Sequence, residues 1–167
     1  MKNVVLIGMP GAGKSTAGVV LAKTLGMNFI DTDLLIQAQT KQKLQDIIDR
    51  QGTERFLQIE NEVVRKIDVE DSVIATGGSV VFGEEAMQNL RKKGIILYLQ
   101  LSAGTIVRRL GNIRTRGIAM PPGMTVQELF QKRTPLYETY ADIIVPAEGK
   151  TLEQTVALMV QLLEGKE

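Results

Sequence analysis

The run Gly8-Met9-Pro10-Gly11-Ala12-Gly13-Lys14-Ser15 constrains this chain more than any other feature. It satisfies the pattern G-x-x-x-x-G-K-[ST] in full. An apolar stretch, residues 4–7, precedes it, and residues 16–25 behind it have helical spacing closed by Gly26. That context is what the pattern requires: a strand, a glycine-rich turn and the start of a helix. Glycines let the backbone curl so that several N–H groups converge on one phosphate, and the helix adds its positive N-terminal end. Lys14 is placed to reach the β- and γ-phosphates, and the Ser15 hydroxyl to ligate Mg²⁺. Gly11, Ala12, Gly13, Lys14, Ser15 and Thr16 are therefore the candidate residues for ATP and its Mg²⁺. A glycine turn that merely happens to precede a lysine would not need the flanking strand and helix.

The rest of the chain repeats the alternation. Short apolar runs at 28–30, 73–75, 95–101 and 143–145 read as strands. Between them, 34–50 (in two pieces), 53–67, 84–93, 103–110, 126–141 and 152–163 carry helical spacing. Apolar strands alternating with amphipathic helices predict an α/β fold, a mainly parallel five-stranded sheet covered on both faces. Pro135 lies inside the helix at 126–141 and predicts a kink or a split near Thr134. Residues 111–124 break the pattern with three Gly, two Pro and two Arg, and read as a mobile loop. With no repeat or linker, 1–167 reads as a single domain, an ordinary size for one.

Composition narrows the chemistry. Lys and Arg total 20 against 19 Asp and Glu, a balance that argues against a dedicated nucleic-acid or membrane-surface binder. Cysteine and histidine are both absent. Thiolate and imidazole metal sites, a cysteine nucleophile and the Ser-His-Asp triad are thereby excluded. Acid–base work falls to Asp, Glu, Lys or Tyr. The apolar start is too short for a signal peptide, and no run approaches the roughly 18 apolar residues of a membrane span. A cytoplasmic protein is expected.

Three further groups reach the same rim of such a sheet, where ligands bind beyond the strand C-termini. Asp31-Thr32-Asp33 follows the second strand. One carboxylate can hold Mg²⁺ through water and the other can accept a proton from an acceptor hydroxyl; a helix N-cap with its first-turn neighbour is an equally physical use of the pair. Thr76-Gly77-Gly78-Ser79 follows the third strand, where paired glycines admit a ligand close to the backbone or simply turn the chain. Arg114 and Arg116 lie in the predicted loop, as a lid closing on phosphates or as solvated arginines. Arg133, two residues before Pro135, is a possible fixed anion-binding group.

Taken together, these segments resemble the shikimate kinase family. The likeness spans about residues 3–163 and rests on the first strand and its phosphate loop, Phe29-Ile30-Asp31-Thr32-Asp33, Gly52 through Phe56 to Glu60, Val73-Ile74-Ala75-Thr76-Gly77-Gly78, the lid, and Arg133-Thr134-Pro135-Leu136-Tyr137. The resemblance implies a three-layer P-loop NTPase fold with strand order 2-3-1-4-5, similar to nucleoside monophosphate kinases, with a mobile lid. It implies a monomer that uses ATP and Mg²⁺ to phosphorylate the 3-hydroxyl of shikimate. Carried over by position, Lys14 and Ser15 serve ATP–Mg²⁺ and Asp31 serves the metal through water. Asp33 contacts the acceptor hydroxyls as base, Arg116 is the lid arginine, Arg109 lies by the adenine, and Arg133 pairs with the acceptor carboxylate. Leu57, Gly77, Gly78 and Ser79 complete the implied acceptor wall.

Three positions depart from the family pattern. Leu57 stands where the family has an arginine that helps hold the shikimate carboxylate, and Arg55 sits roughly 200° around a helix from it. Ser79 stands where the family has a third glycine. The lid reads Arg116-Gly117-Ile118-Ala119 instead of R-P-L-L. Losing one charge-assisted hydrogen bond costs about 1.5–3 kcal/mol. Beside shikimate phosphorylation stand two other readings, the same transfer to a different small hydroxylated metabolite and a nucleotide-binding protein without turnover.

Overall fold

The computed structural model describes residues 2–110 and 118–166. Five parallel strands form its sheet: β1 (Asn3–Ile7), β2 (Asn28–Asp31), β3 (Ser72–Ala75), β4 (Gly94–Gln100) and β5 (Ile143–Pro146). Their order is β2-β3-β1-β4-β5, as the family resemblance implied. β1 is central, with Val5 in register with Ile74 on one side and Ile96 on the other. Burial follows position in the sheet. β1 and β3 are buried at every residue, while β5, at an edge, alternates buried and exposed. Parallel strands need crossover helices on both faces, and these supply the other two layers.

The crossovers are α1 (Lys14–Leu25), α2 (Thr32–Thr40), α3 (Leu44–Gln51), α4 (Thr53–Val64), α5 (Glu84–Lys93), α6 (Ala103–Leu110) and α7 (Val126–Tyr140), and α8 (Leu152–Glu164) follows the last strand. The main core is built on the sheet by residues such as Leu6, Ile7, Leu21, Ile74, Met87, Leu97 and Met159. A second, smaller cluster joins Ile36, Leu44, Ile47, Phe56, Val63 and Ala119. It ties α2, α3 and α4 to Ala119, within the predicted loop, and so fixes one wall of the site.

Two local readings of the sequence need correction. Pro135 does not split its helix, because α7 continues through it from Val126 to Tyr140. A proline removes one rung of the ladder, and here burial of Arg133 and Tyr137 on either side holds the helix together. Residues 80–82 form a 3₁₀ turn that the apolar pattern did not announce. Of the predicted loop at 111–124, residues 118–124 form no helix or strand. Positions 111–117, with Arg114, Arg116 and Gly117, lie outside the described residues.

Candidate active site

The phosphate loop leaves β1 and enters α1 through Gly13, which adopts φ 90° in the left-handed region. A side chain there would be strained, so glycine is required by the turn itself. No side chain caps the first-turn amides of α1, which leaves that helix end suited to an anion. Lys14 is buried, and its ammonium donates to the carbonyls of Gly8 at 2.6 Å and Met9 at 2.8 Å. Burial is the larger influence on it and lowers its pKa to about 8, against the opposing pull of Asp33.

Asp31 uses its two carboxylate oxygens differently. As N-cap of α2, its Oδ1 accepts from the backbone N–H groups of Asp33 and Leu34. Its Oδ2 accepts from the Ser15 hydroxyl at 2.8 Å. The cap is thus a rigid arm that holds a carboxylate oxygen against the P-loop serine. A hydroxyl paired with a carboxylate, open to further oxygen ligands from phosphate and water, fits Mg²⁺, which takes few protein ligands and keeps its waters. Asp33, in the first turn of α2, faces the cavity instead. Burial, reinforced by the Asp31 charge and opposed by Lys14, raises its pKa to about 6.

A cavity of about 300 Å³ lies at the C-terminal rim of the sheet. The phosphate loop residues Gly11, Gly13, Lys14, Ser15 and Thr16 line one side, and Asp33, Gly77, Gly78, Ser79 and Arg133 the other. The paired glycines are required here. A Cβ on Gly77 would stand 2.7 Å from Asp33 Oδ1 and 2.9 Å from Glu60 Oε2, and one on Gly78 would stand 2.7 Å from Arg133 Nη1. Side-chain oxygens and nitrogens of the site crowd this turn from both directions. Arg133 is 1% exposed. Its Nη2 donates to the Ala119 carbonyl at 2.8 Å, and its guanidinium lies 5.6 Å from the centre of the Phe82 ring. Its Nε has no hydrogen-bond partner among the described residues. One turn further on, Tyr137 donates its hydroxyl to the Gly78 carbonyl at 2.6 Å. The spacing of R-x-P-L-Y is thereby explained: Arg133 and Tyr137 share a face of α7, and the second anchors the first to the glycine turn.

The structure therefore brings together Lys14, Ser15, Asp31, Asp33, Gly77, Gly78, Ser79 and Arg133. Ala12 and Arg109 stand apart, on a neighbouring cavity of about 240 Å³ that Gly13 and Thr16 also border. Arg109 donates to the Gly11 carbonyl at 3.0 Å, so the two cavities meet at the phosphate loop. Leu57 is placed elsewhere. It lines an adjoining groove with Ile48, Phe82 and Met120, and among the described residues only Ile118 and Ala119 border both spaces. One residue of the site was missed by sequence reasoning. Glu60 is 2% exposed, lines the cavity and accepts from the Ser79 hydroxyl at 2.6 Å. Its signal was present: a lone carboxylate one turn from Phe56, on a helix face otherwise apolar at Phe56, Val63 and Val64. An acid at a core position calls for a partner or a function.

A phosphate-binding helix end, a lysine aimed into it, a serine–carboxylate pair and a separate acid beside a small polar cavity define a P-loop phosphotransferase acting on a small molecule. Comparison with known proteins supplies the family. The shikimate kinase family model matches residues 10–164. A shikimate kinase of Thermodesulfovibrio yellowstonii is 39% identical over 98% of this chain and 96% of its own length. One from Caldanaerobacter subterraneus subsp. tengcongensis is 34% identical over 96% and 95%. Among solved structures, shikimate kinase from Acinetobacter baumannii in complex with shikimate superposes with a TM-score of 0.89 at 24% identity, covering 100% of this chain and 95% of that one, a likeness of fold. The chain belongs to the shikimate kinase family.

Proposed function

We propose that this enzyme transfers the γ-phosphate of ATP to the 3-hydroxyl of shikimate. The observation that carries the reading is the pairing of opposite groups across one cavity. Asp33 lies beside Gly77, the buried guanidinium of Arg133 lies beside Gly78, and both line the cavity that the phosphate loop borders. An acceptor that fits must offer a hydroxyl at one end and an anion at the other. Shikimate, a small hydroxylated carboxylate, meets both requirements, and it is the acceptor named by the relatives' own titles.

The residues divide the work. Arg133 holds the acceptor carboxylate and so sets the hydroxyl against Asp33. Asp33 accepts the hydroxyl proton as the oxygen attacks phosphorus, and ADP leaves with the bridging oxygen. Lys14 and the α1 amides take up charge on the transferring group. Ser15 and Asp31 hold Mg²⁺, which when bound neutralises the phosphate oxygens. The base and ribose of ATP occupy the cavity beside Arg109. The enzyme works as a cytoplasmic monomer.

The test is acceptor discrimination. With ATP and Mg²⁺ saturating, shikimate should support turnover, and its methyl ester should lose about tenfold or more in kcat/KM, the charge-assisted contact to Arg133 being worth roughly 1.5–3 kcal/mol. Equal kcat/KM for acid and ester would remove Arg133 from acceptor recognition.

A further inference from the structure

Ser79 has two possible uses in this cavity. A hydroxyl on its wall can meet the acceptor directly, or it can serve another residue. The geometry favours the second. Ser79 is 5% exposed, and its hydroxyl donates to Glu60 Oε1 at 2.6 Å. That bond occupies one oxygen of a carboxyl that α4 carries into the cavity wall. The other oxygen, Oε2, is buried and has no hydrogen-bond partner among the described residues. It lies beside Gly77, on the side where Asp33 Oδ1 also approaches. Glu60 is therefore held by one oxygen, and the other is left without a partner beside Gly77 and Asp33.

We propose that Ser79 is a positioning residue, whose hydroxyl clamps Glu60 so that Glu60 Oε2 stands beside Asp33 as a second polar group for the acceptor. This rests on reading the cavity as the acceptor site. The groups that face Glu60 are Ser79 from the turn after β3, Asp33 from α2, Arg133 from α7 and Lys14 from α1. Desolvation raises the Glu60 carboxyl to about 7, and the Ser79 hydrogen bond is the largest influence acting in the opposite sense. Removing the hydroxyl thus both releases the carboxyl from its orientation and pushes its titration upward. Near neutral pH more of Glu60 is then protonated, and less negative charge faces Arg133. A serine that only filled space would do neither.

The experiment is a double-mutant cycle of Ser79→Ala and Glu60→Gln, read as acceptor KM, ATP KM and the pH profile of kcat/KM for the acceptor. Ser79→Ala should raise acceptor KM roughly five- to tenfold, leave ATP KM within about twofold, and move the acid limb of the profile to higher pH. In the Glu60→Gln background the same change should move neither. Ser79→Thr, which keeps a hydroxyl, should retain the wild-type limb. A Ser79→Ala profile that coincides with wild type overturns the proposal. So does an equal effect of Ser79→Ala in both backgrounds, or a loss confined to kcat with the limb unmoved. If wild-type enzyme itself showed no acceptor-dependent turnover, the function assigned to the cavity would fail, a result distinct from any of these.

Discussion

At the scale of single residues, burial treats two charges of the site unequally. Burial raises Asp33 to about 6 and lowers Lys14 to about 8. The signs predict a bell-shaped profile. Asp33 must be ionised to take a proton, so kcat/KM should fall as pH drops through about 6. Lys14 must be charged to meet phosphate, so kcat/KM for ATP should fall as pH rises through about 8. Bound phosphate favours the ammonium, so the alkaline limb of kcat should lie higher than that of kcat/KM. A steady-state pH series at saturating and limiting ATP checks this, and coincident alkaline limbs would contradict it. Asp33→Asn should cost roughly 10²–10⁴ in kcat, the usual yield of a general base, and leave only the part of the acid limb that Glu60 contributes.

Residue identities also show how far a sequence can be read. The phosphate loop was legible because its pattern is a backbone requirement with fixed spacing. Asp31 and Asp33 were legible as a pair, but which one capped α2 depended on where the helix began, and it begins at Thr32. Glu60 was not singled out because burial of a helix face depends on what packs against it. Leu57 was placed on the acceptor wall by analogy, whereas the orientation of α4 turns it toward the neighbouring groove.

At the scale of elements, α7 ties the cavity wall to the fold. Tyr137 bonds the Gly78 carbonyl and stacks on Tyr98, with ring centres 5.2 Å apart. Tyr137→Phe keeps the ring and leaves a partly buried carbonyl without its donor, a loss of about 1–3 kcal/mol. Thermal or urea melting should show that loss, and acceptor KM should rise more than ATP KM because Arg133 shares the anchored face. An unchanged melting point would show that the hydroxyl contributes nothing to holding α7. The helix itself was legible from its spacing over 126–141, and the structure adds a capping box of Thr125 and Glu128 at its start. Its passage through Pro135 was not legible, because tertiary burial overrides the local cost. On α4, Leu57→Arg should lower acceptor KM by about tenfold, since the groove it occupies adjoins the cavity at Ile118 and Ala119. An unchanged KM would put position 57 outside the acceptor site.

At the scale of the whole molecule, strand order and function are one argument. Placing β1 between β3 and β4 sets the phosphate loop at the middle of the rim. The loops after β2 and β3 then fall on one side, with Asp31, Asp33, Gly77 and Gly78. Arg109 of α6, the helix after β4, falls on the other. The two cavities are thus separated by topology, and among the described residues only Gly13 and Thr16 border both. The alternation of strands and helices was enough to anticipate the parallel sheet. The order of strands came from family resemblance, because periodicity carries no information about which strands are neighbours.

The most direct test of phosphoryl transfer at this junction is phosphorus NMR of a reaction containing the purified protein, ATP, Mg²⁺ and shikimate. The account predicts a single new phosphate monoester at the shikimate 3-oxygen, formed in step with ADP, and near-complete loss of that signal with Lys14→Ala. No shikimate-dependent ester, or the same ester formed at a comparable rate by Lys14→Ala, would contradict it.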